Sequence, residues 1–176
     1  NSFIVSHDDS YHHTMISEPP ETWRDMQWDD GDEREIMAYL NSRRHGTEDW
    51  IWFHDQPDED IASIEQETGL DFSRPVISML TNVMWDAQLN YESNAFPNML
   101  DWVLQSIEYF ANKPELQLAI RVHPAEVSGD VPSRQPLVDE ISKAFPSLPV
   151  NVKIIPPESQ ASTYTLIEGS NSVLIY

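Results

Sequence analysis

The chain has 176 residues, of which 30 are acidic and 10 are Lys or Arg, so its formal net charge is −20. This charge argues against nucleic acid and anionic lipid as partners, because their phosphates would be repelled. The absence of cysteine excludes disulfides, thiolate metal sites and cysteine nucleophiles. No stretch approaches the roughly 20 apolar residues of a membrane span, so we expect no transmembrane segment.

The acidic residues are concentrated in the first part of the chain. Residues 1–73 hold 19 acidic residues and four Arg, whereas residues 74–176 hold 11 acidic and six basic residues. We therefore expect an acidic, mostly helical or irregular arm over residues 1–73, belonging to a preceding lobe. Its first helix is predicted after the acidic run 29–35, since acids favour the positive end of a helix dipole. A second, shorter helix is predicted around Ile61 and Ile64.

Residues 74–176 alternate between strand-like and helix-like patterns. Helices are expected at 99–111, at 133–145 with Ser133 as the N-cap, and at 159–168. Strands are predicted at 75–80, 116–122, 150–155 and 172–176. This order predicts right-handed crossovers and an α/β fold with a Rossmann-like parallel sheet, flanked by helices on both faces. Because the chain begins without Met and ends on an apolar strand, we expect a fragment truncated at its C-terminus.

Polar residues follow three of the predicted strands. In parallel sheets ligands bind outside the carboxyl ends of the strands, so these residues are candidates for a site. They are Thr81, Asn82, Trp85 and Asp86 after the first strand, His123, Pro124 and Glu126 after the second, and Ser159, Ser162 and Thr163 after the third. An imidazole beside hydroxyls at a helix start predicts a phosphate pocket. The glycine-rich loops of P-loop NTPases and of standard NAD sites are absent from the sequence.

The run Arg121-Val-His-Pro-Ala-Glu126, followed by Ser162-Thr163 and the strand at 173–176, carries a family resemblance. It resembles the C-terminal half of bacterial GT-B glycosyltransferases, in particular capsular or surface polysaccharide biosynthesis proteins. These are distantly akin to sialyl- and Kdo-transferases with a His-Pro motif and a Ser/Thr pair. The segments 81–86, 94–98 and 156–159 are also similar to that group, and the resemblance covers residues 74–176.

The resemblance implies that residues 74–176 bind a nucleotide-sugar donor for transfer to a glycan acceptor, without a metal or other cofactor. His123 would be the catalytic residue, contacting the donor phosphate and stabilising the departing nucleotide. The donor-binding residues would be Arg121, His123, Pro124, Glu126, Ser159, Ser162 and Thr163, and the cleft residues Thr81, Asn82, Trp85 and Asp86. The resemblance further implies a cytoplasmic protein, peripheral at the inner membrane. It also implies an inactive fragment, since the general base and acceptor site come mostly from the other lobe.

Alternatives remain open for several of these residues. Arg121 could form a salt bridge with Glu126, because an unpaired Arg in a buried strand is costly. His123 could be a strand-end residue bonded to a backbone carbonyl, with Pro124 only turning the chain. The aromatic run 50–53 fits a hydrophobic anchor better than a sugar platform.

Three other hypotheses concern the function of the chain as a whole. A metal cluster built from His7, His12 and His13 with neighbouring Asp residues is disfavoured against a solvated linker, since the spacing is not that of a zinc site. A non-catalytic interaction domain, whose acidic arm binds a cationic partner, is a second class of function. A sugar-nucleotide epimerase-like half-domain is a third.

Overall fold

The computed structural model describes residue 24 and residues 27–45, 56–85, 95–128 and 133–176. The chain divides into two compact units, residues 1–41 and 42–176. The predictions for His7, His12 and His13, for the aromatic run 50–53 and for Asp86 lie outside the described residues. Within the described ranges, no helix is both long enough and apolar enough to cross a membrane.

Six helices and four strands are found in the described part of the chain. The helices are α1 (Asp30–His45), α2 (Ile61–Thr68), α3 (Met99–Ala111), α4 (Ala125–Ser128), α5 (Leu137–Ala144) and α6 (Thr163–Gly169). The strands are β1 (Val76–Leu80), β2 (Gln117–Arg121), β3 (Val152–Ile155) and β4 (Ser172–Ile175). The predicted alternation of strands and helices is confirmed, and only the short helix α4 was not anticipated.

The four strands form one sheet in the order β3-β2-β1-β4, and all three pairings are parallel. The predicted α/β class with a Rossmann-like parallel sheet is therefore confirmed. The chain steps outward from β1 to β2 and β3, then crosses back to place β4 on the other side of β1. This reversal creates a topological switch point between β1 and β4.

Two apolar clusters cover the two faces of the sheet. Helices α3 and α5 bury one face in a cluster that includes Met79, Ile107 and Ile120. Helices α2 and α6 bury the other face in a cluster that includes Ile64 and Leu166. Every residue of β2 is buried, as expected for a central parallel strand covered on both sides.

Helix α2 lies within the predicted arm, but it packs against one face of the sheet. Its residue Ile64 is fully buried, and Leu70 just beyond the helix joins the same apolar cluster. Asp60 caps the helix by accepting from the Ala62 N–H, and Gly69 ends it in a left-handed conformation at φ 71°. The unit that contains the sheet thus extends further toward the N-terminus than the predicted boundary at residue 74.

The start of helix α5 differs from the prediction. Ser133 was expected to be the N-cap, but the helix begins at Leu137 after Pro136, so that expectation was wrong. No side chain of the N-cap residue bonds to the first turn. The Leu137 N–H is instead bonded to the carboxylate of Glu126, which reaches it from helix α4.

Candidate functional site

The segments after β1, β2 and β3 lie at one edge of the sheet. The parallel registers pair Leu80 with Arg121 and Arg121 with Ile155, so these three strands end side by side. The polar residues predicted at the carboxyl ends of these strands therefore share an edge. We call it the carboxyl edge.

Thr81 ties the ends of β1 and β2 together. Its backbone N–H and its hydroxyl both donate to the Arg121 carbonyl, at 3.2 Å and 3.3 Å. The same hydroxyl oxygen accepts from the backbone N–H of His123 at 3.2 Å. Thr81 is buried. Its bonds continue the hydrogen bonding between β1 and β2 by one residue and fix the point at which His123 leaves the sheet.

The imidazole of His123 has a defined orientation. Its Nδ1 accepts from the Ala125 N–H at 3.1 Å, in the first turn of α4. Since Nδ1 is the acceptor, the neutral ring carries its proton on Nε2, which makes Nε2 a hydrogen-bond donor. The Pro124 carbonyl accepts from the N–H groups of Val127 and Ser128, so Pro124 does turn the chain into α4.

Arg121 is buried at the end of β2 and donates to backbone carbonyls. Its Nη1 lies 2.6 Å from the Pro156 oxygen and its Nη2 lies 3.1 Å from the Ser159 oxygen. Burial lowers the pKa of Arg121 to about 10, and the charge of Glu67 acts in the opposite direction. The guanidinium therefore stays charged at neutral pH and holds the loop between β3 and α6 against the end of β2.

Glu126 is bonded to helix α5, and no ion pair between described residues involves it. Both carboxylate oxygens accept from the Leu137 N–H, at 3.0 Å and 3.3 Å, and the residue is only 3% exposed. Burial raises the pKa of Glu126, the bond from Leu137 lowers it, and the charges of Asp139 and Glu158 raise it further. The contacts of Arg121 and Glu126 thus differ from the ion pair considered for them.

The three hydroxyl residues before and at the start of α6 have different environments. The Ser159 Oγ accepts from the Ala161 N–H, and the Ser162 Oγ accepts from the Thr165 N–H as the N-cap of α6. A hydroxyl that accepts keeps its own O–H for donation to a ligand. Thr163 is half-buried. Convergence of His123 with this hydroxyl pair on one anion stays a prediction.

The cleft residues after β1 are only partly covered. Asn82 is half-buried, and 50% of Trp85 is exposed. Between them Val83 is buried, so the segment is anchored while its polar and aromatic side chains remain accessible. An accessible indole at this edge offers a flat surface for a base or a sugar.

One residue beside the site was missed by sequence reasoning. Asp58, within the predicted arm, forms a parallel β-bridge with Ala161. Its N–H donates to the Gln160 carbonyl, and its own carbonyl accepts from the Ser162 N–H, both at 2.8 Å. No local pattern could reveal this pairing, because it joins segments that are far apart in the sequence.

Comparison of the chain with protein-family models, with curated proteins and with solved structures finds no match. The fold itself defines an α/β protein with a Rossmann-like parallel sheet. In such sheets the ligand site lies at the carboxyl edge, where Thr81 and His123 are joined.

Proposed function

We propose that the sheet-bearing part of this chain is the nucleotide-sugar-binding part of a glycosyltransferase for capsular or other surface polysaccharide synthesis. The proposal rests on the resemblance of residues 74–176 to the GT-B group and on the position of His123. The observation that carries it is the oriented imidazole at the carboxyl edge, held through Thr81 and Ala125.

In this proposal the Nε2–H of His123 donates a hydrogen bond to the phosphate of the nucleotide sugar. Negative charge builds on the nucleotide as the bond to the sugar breaks, and a donor that is already oriented stabilises that charge without reorganisation. Removal of one such donor typically costs about 3 to 4 kcal/mol of barrier. Ser162 and Thr163 would add hydroxyl donors to the same phosphate.

Arg121 has a supporting part in the proposed site. Its guanidinium bonds to the carbonyls of Pro156 and Ser159, so it positions the loop that leads to Ser162. Its positive charge also adds to the potential at the carboxyl edge. Asn82 and Trp85 would border the nucleotide from the β1 side.

Nucleotide binding by the whole chain tests the proposal. Thermal unfolding is followed with CMP, UDP and GDP, since a ligand at 100 times its Kd stabilises by about 2.7 kcal/mol. We expect one of the three to stabilise the wild type. His123→Ala should bind that nucleotide at least about tenfold more weakly, from the loss of one hydrogen bond to a charged group.

His45→Ala is the matched control for that experiment. The His45 side chain is 51% exposed on helix α1, so its removal should leave nucleotide affinity unchanged. Equal affinity of His123→Ala and the wild type would remove His123 from the site. No stabilisation by any of the three nucleotides would count against the transferase.

A non-catalytic interaction domain is the second candidate, and helix α1 favours it. No described residue of α1 is buried, although it carries apolar side chains. Ile36, Met37, Tyr39 and Leu40 are each 44 to 50% exposed. An interaction domain has no need of a phosphate pocket, so nucleotide binding separates the two candidates.

The proposal also covers what this chain does on its own. GT-B transferases take their general base and acceptor site mostly from the other lobe, so we expect no sugar transfer by the 176-residue chain. Incubation with a donor and detection of released nucleotide checks this. Turnover by the chain would contradict the expectation and point to a base within it.

A further inference from the structure

A cavity lined mostly by polar residues lies at the opposite end of the sheet from His123. It has a volume of about 240 Å³, and its lining includes Gly69, Asp71, Arg74, Gln117, Asn151 and Lys153. Arg74 precedes β1, Gln117 begins β2 and Asn151 precedes β3. The cavity therefore lies at the amino ends of the strands, and we call it the amino-edge cavity.

Two cations line the amino-edge cavity, and no carboxylate of the described residues lies at ion-pair distance from either. Among the described residues, the ion pairs involve Arg44, His45 and Lys143 with Glu partners, and none involves Arg74 or Lys153. In a chain with a net charge of −20, two such cations in one concavity are an unusual concentration of positive charge.

The two cations have different surroundings. The Arg74 Nη2 donates to the Pro114 carbonyl at 2.8 Å, which positions the guanidinium. The ammonium of Lys153 lies beside Gly69, where a Cβ would be 3.5 Å from Nζ. Glycine at this position leaves one side of the ammonium uncovered by a side chain.

Asp71 is the one acid among the described residues that line the cavity, and its carboxylate accepts hydrogen bonds. Its Oδ1 accepts from the Ser73 N–H at 3.0 Å and from the Ser73 hydroxyl. These bonds, together with the charge of nearby Arg74, hold the pKa of Asp71 below its ordinary value, so it is ionised at neutral pH. The lining thus keeps a net positive charge from Arg74 and Lys153.

The floor of the cavity is rigid because its amide side chains bond to backbone. The Gln117 amide donates to the Asp71 carbonyl at 2.7 Å and accepts from the Asp71 N–H at 3.0 Å. The Asn151 Nδ2 contacts the carbonyls of Phe110, Lys113 and Leu116 at 2.9 to 3.0 Å. The cavity is therefore formed before any ligand enters.

We propose that the amino-edge cavity binds the phosphate group of a small molecule between Arg74 and Lys153. Guanidinium and ammonium groups both form charge-assisted hydrogen bonds to phosphate oxygens. The volume is below the roughly 300 Å³ at which typical ligand pockets begin, so the occupant is smaller than a nucleotide. This site goes beyond the proposed donor site, which lies at the other edge of the sheet.

Titration of the full chain with glycerol 3-phosphate tests the site, with binding measured by NMR at constant ionic strength. We expect shifts in the backbone amides of Val150 and Lys153, at the rim of the cavity. Arg74→Gln and Lys153→Gln should each weaken binding about tenfold, since each removes one charge-assisted bond.

Lys143→Gln provides the matched control, because it removes the same charge from an exposed residue that already pairs with Glu140. It should leave the affinity unchanged. Equal weakening by Lys143→Gln, or unchanged binding in Arg74→Gln and Lys153→Gln, would overturn the proposal. Sodium chloride at the same ionic strength must leave the NMR signals of the Val150 and Lys153 amides unshifted, and equal shifts with chloride would also overturn the proposal. His123→Ala should not affect this binding, so failure here is distinct from failure of the donor site.

Discussion

Glu126 shows how a single buried carboxylate can link two helices at a cost in stability. Its raised pKa means that the folded state holds the proton more tightly than the unfolded chain does. Stability therefore falls as the pH rises from the ordinary value of 4.5 through the raised pKa. The ionised form of the carboxylate opposes folding because it is buried, while its bonds to the Leu137 N–H favour folding.

Two substitutions separate these effects. Glu126→Gln keeps an oxygen acceptor for Leu137 and removes the buried charge, so we expect stability at pH 8 equal to or above that of the wild type. Its advantage should shrink as the pH falls to 5. Glu126→Ala leaves the fully buried Leu137 with an unpaired N–H and should lose about 1 to 3 kcal/mol.

Urea unfolding at pH 5 and pH 8 measures both variants of Glu126. An equal loss of stability in Glu126→Gln and Glu126→Ala would contradict the stabilising role of the bond to the Leu137 N–H, because only the alanine variant removes the acceptor. A wild-type stability that rises between the two pH values relative to Glu126→Gln would contradict the sign of the pKa shift.

At the scale of elements, the C-terminal end of α6 depends on close contact with the segment before β1. A Cβ at Gly169 would lie 2.7 Å and 2.8 Å from two ring carbons of Phe72. The Phe72 backbone is held by the Glu65 side chain, which accepts its N–H at 2.8 Å. The ring would therefore have to shift to admit a Cβ, and α6 approaches it through glycine.

Gly169→Ala should destabilise the protein by about 1 to 3 kcal/mol, as overpacking does. The gain in helix propensity from Gly to Ala, about 0.5 to 1 kcal/mol, offsets only part of this. Phe72→Leu in the Gly169→Ala background should restore part of the loss, and a double-mutant cycle by urea unfolding measures the coupling. Additive effects of the two substitutions would show that the contact is not the cause.

The division of the chain into two units predicts that the sheet folds without residues 1–41. The described members of both apolar clusters lie in residues 64–176, within the unit 42–176. Deletion of residues 1–41 should therefore leave cooperative unfolding intact and change stability by less than about 1 kcal/mol, roughly 3 °C in Tm. Thermal unfolding followed by circular dichroism measures this. Loss of the cooperative transition would show that the sheet needs the removed residues.

Local elements were predictable because their signals are local. The limits of α3 matched the prediction at 99–111, since Asn98 caps the helix by accepting from the Asp101 N–H. The start of α5 was not predictable, because its partner Glu126 comes from another helix. For the same reason, the sequence of neither segment predicts the bridge between Asp58 and Ala161.

The class of the fold and the strand ends that carry polar residues follow from local patterns in the sequence. Short apolar runs and the 3.6-residue period identify strands and helices, and strands that are joined by helical crossovers pair in parallel. The order β3-β2-β1-β4 and the partners of Arg121 and Glu126 emerge only in the folded chain. Strand order and side-chain partners depend on which distant surfaces bury each other, and no short stretch of residues encodes that choice.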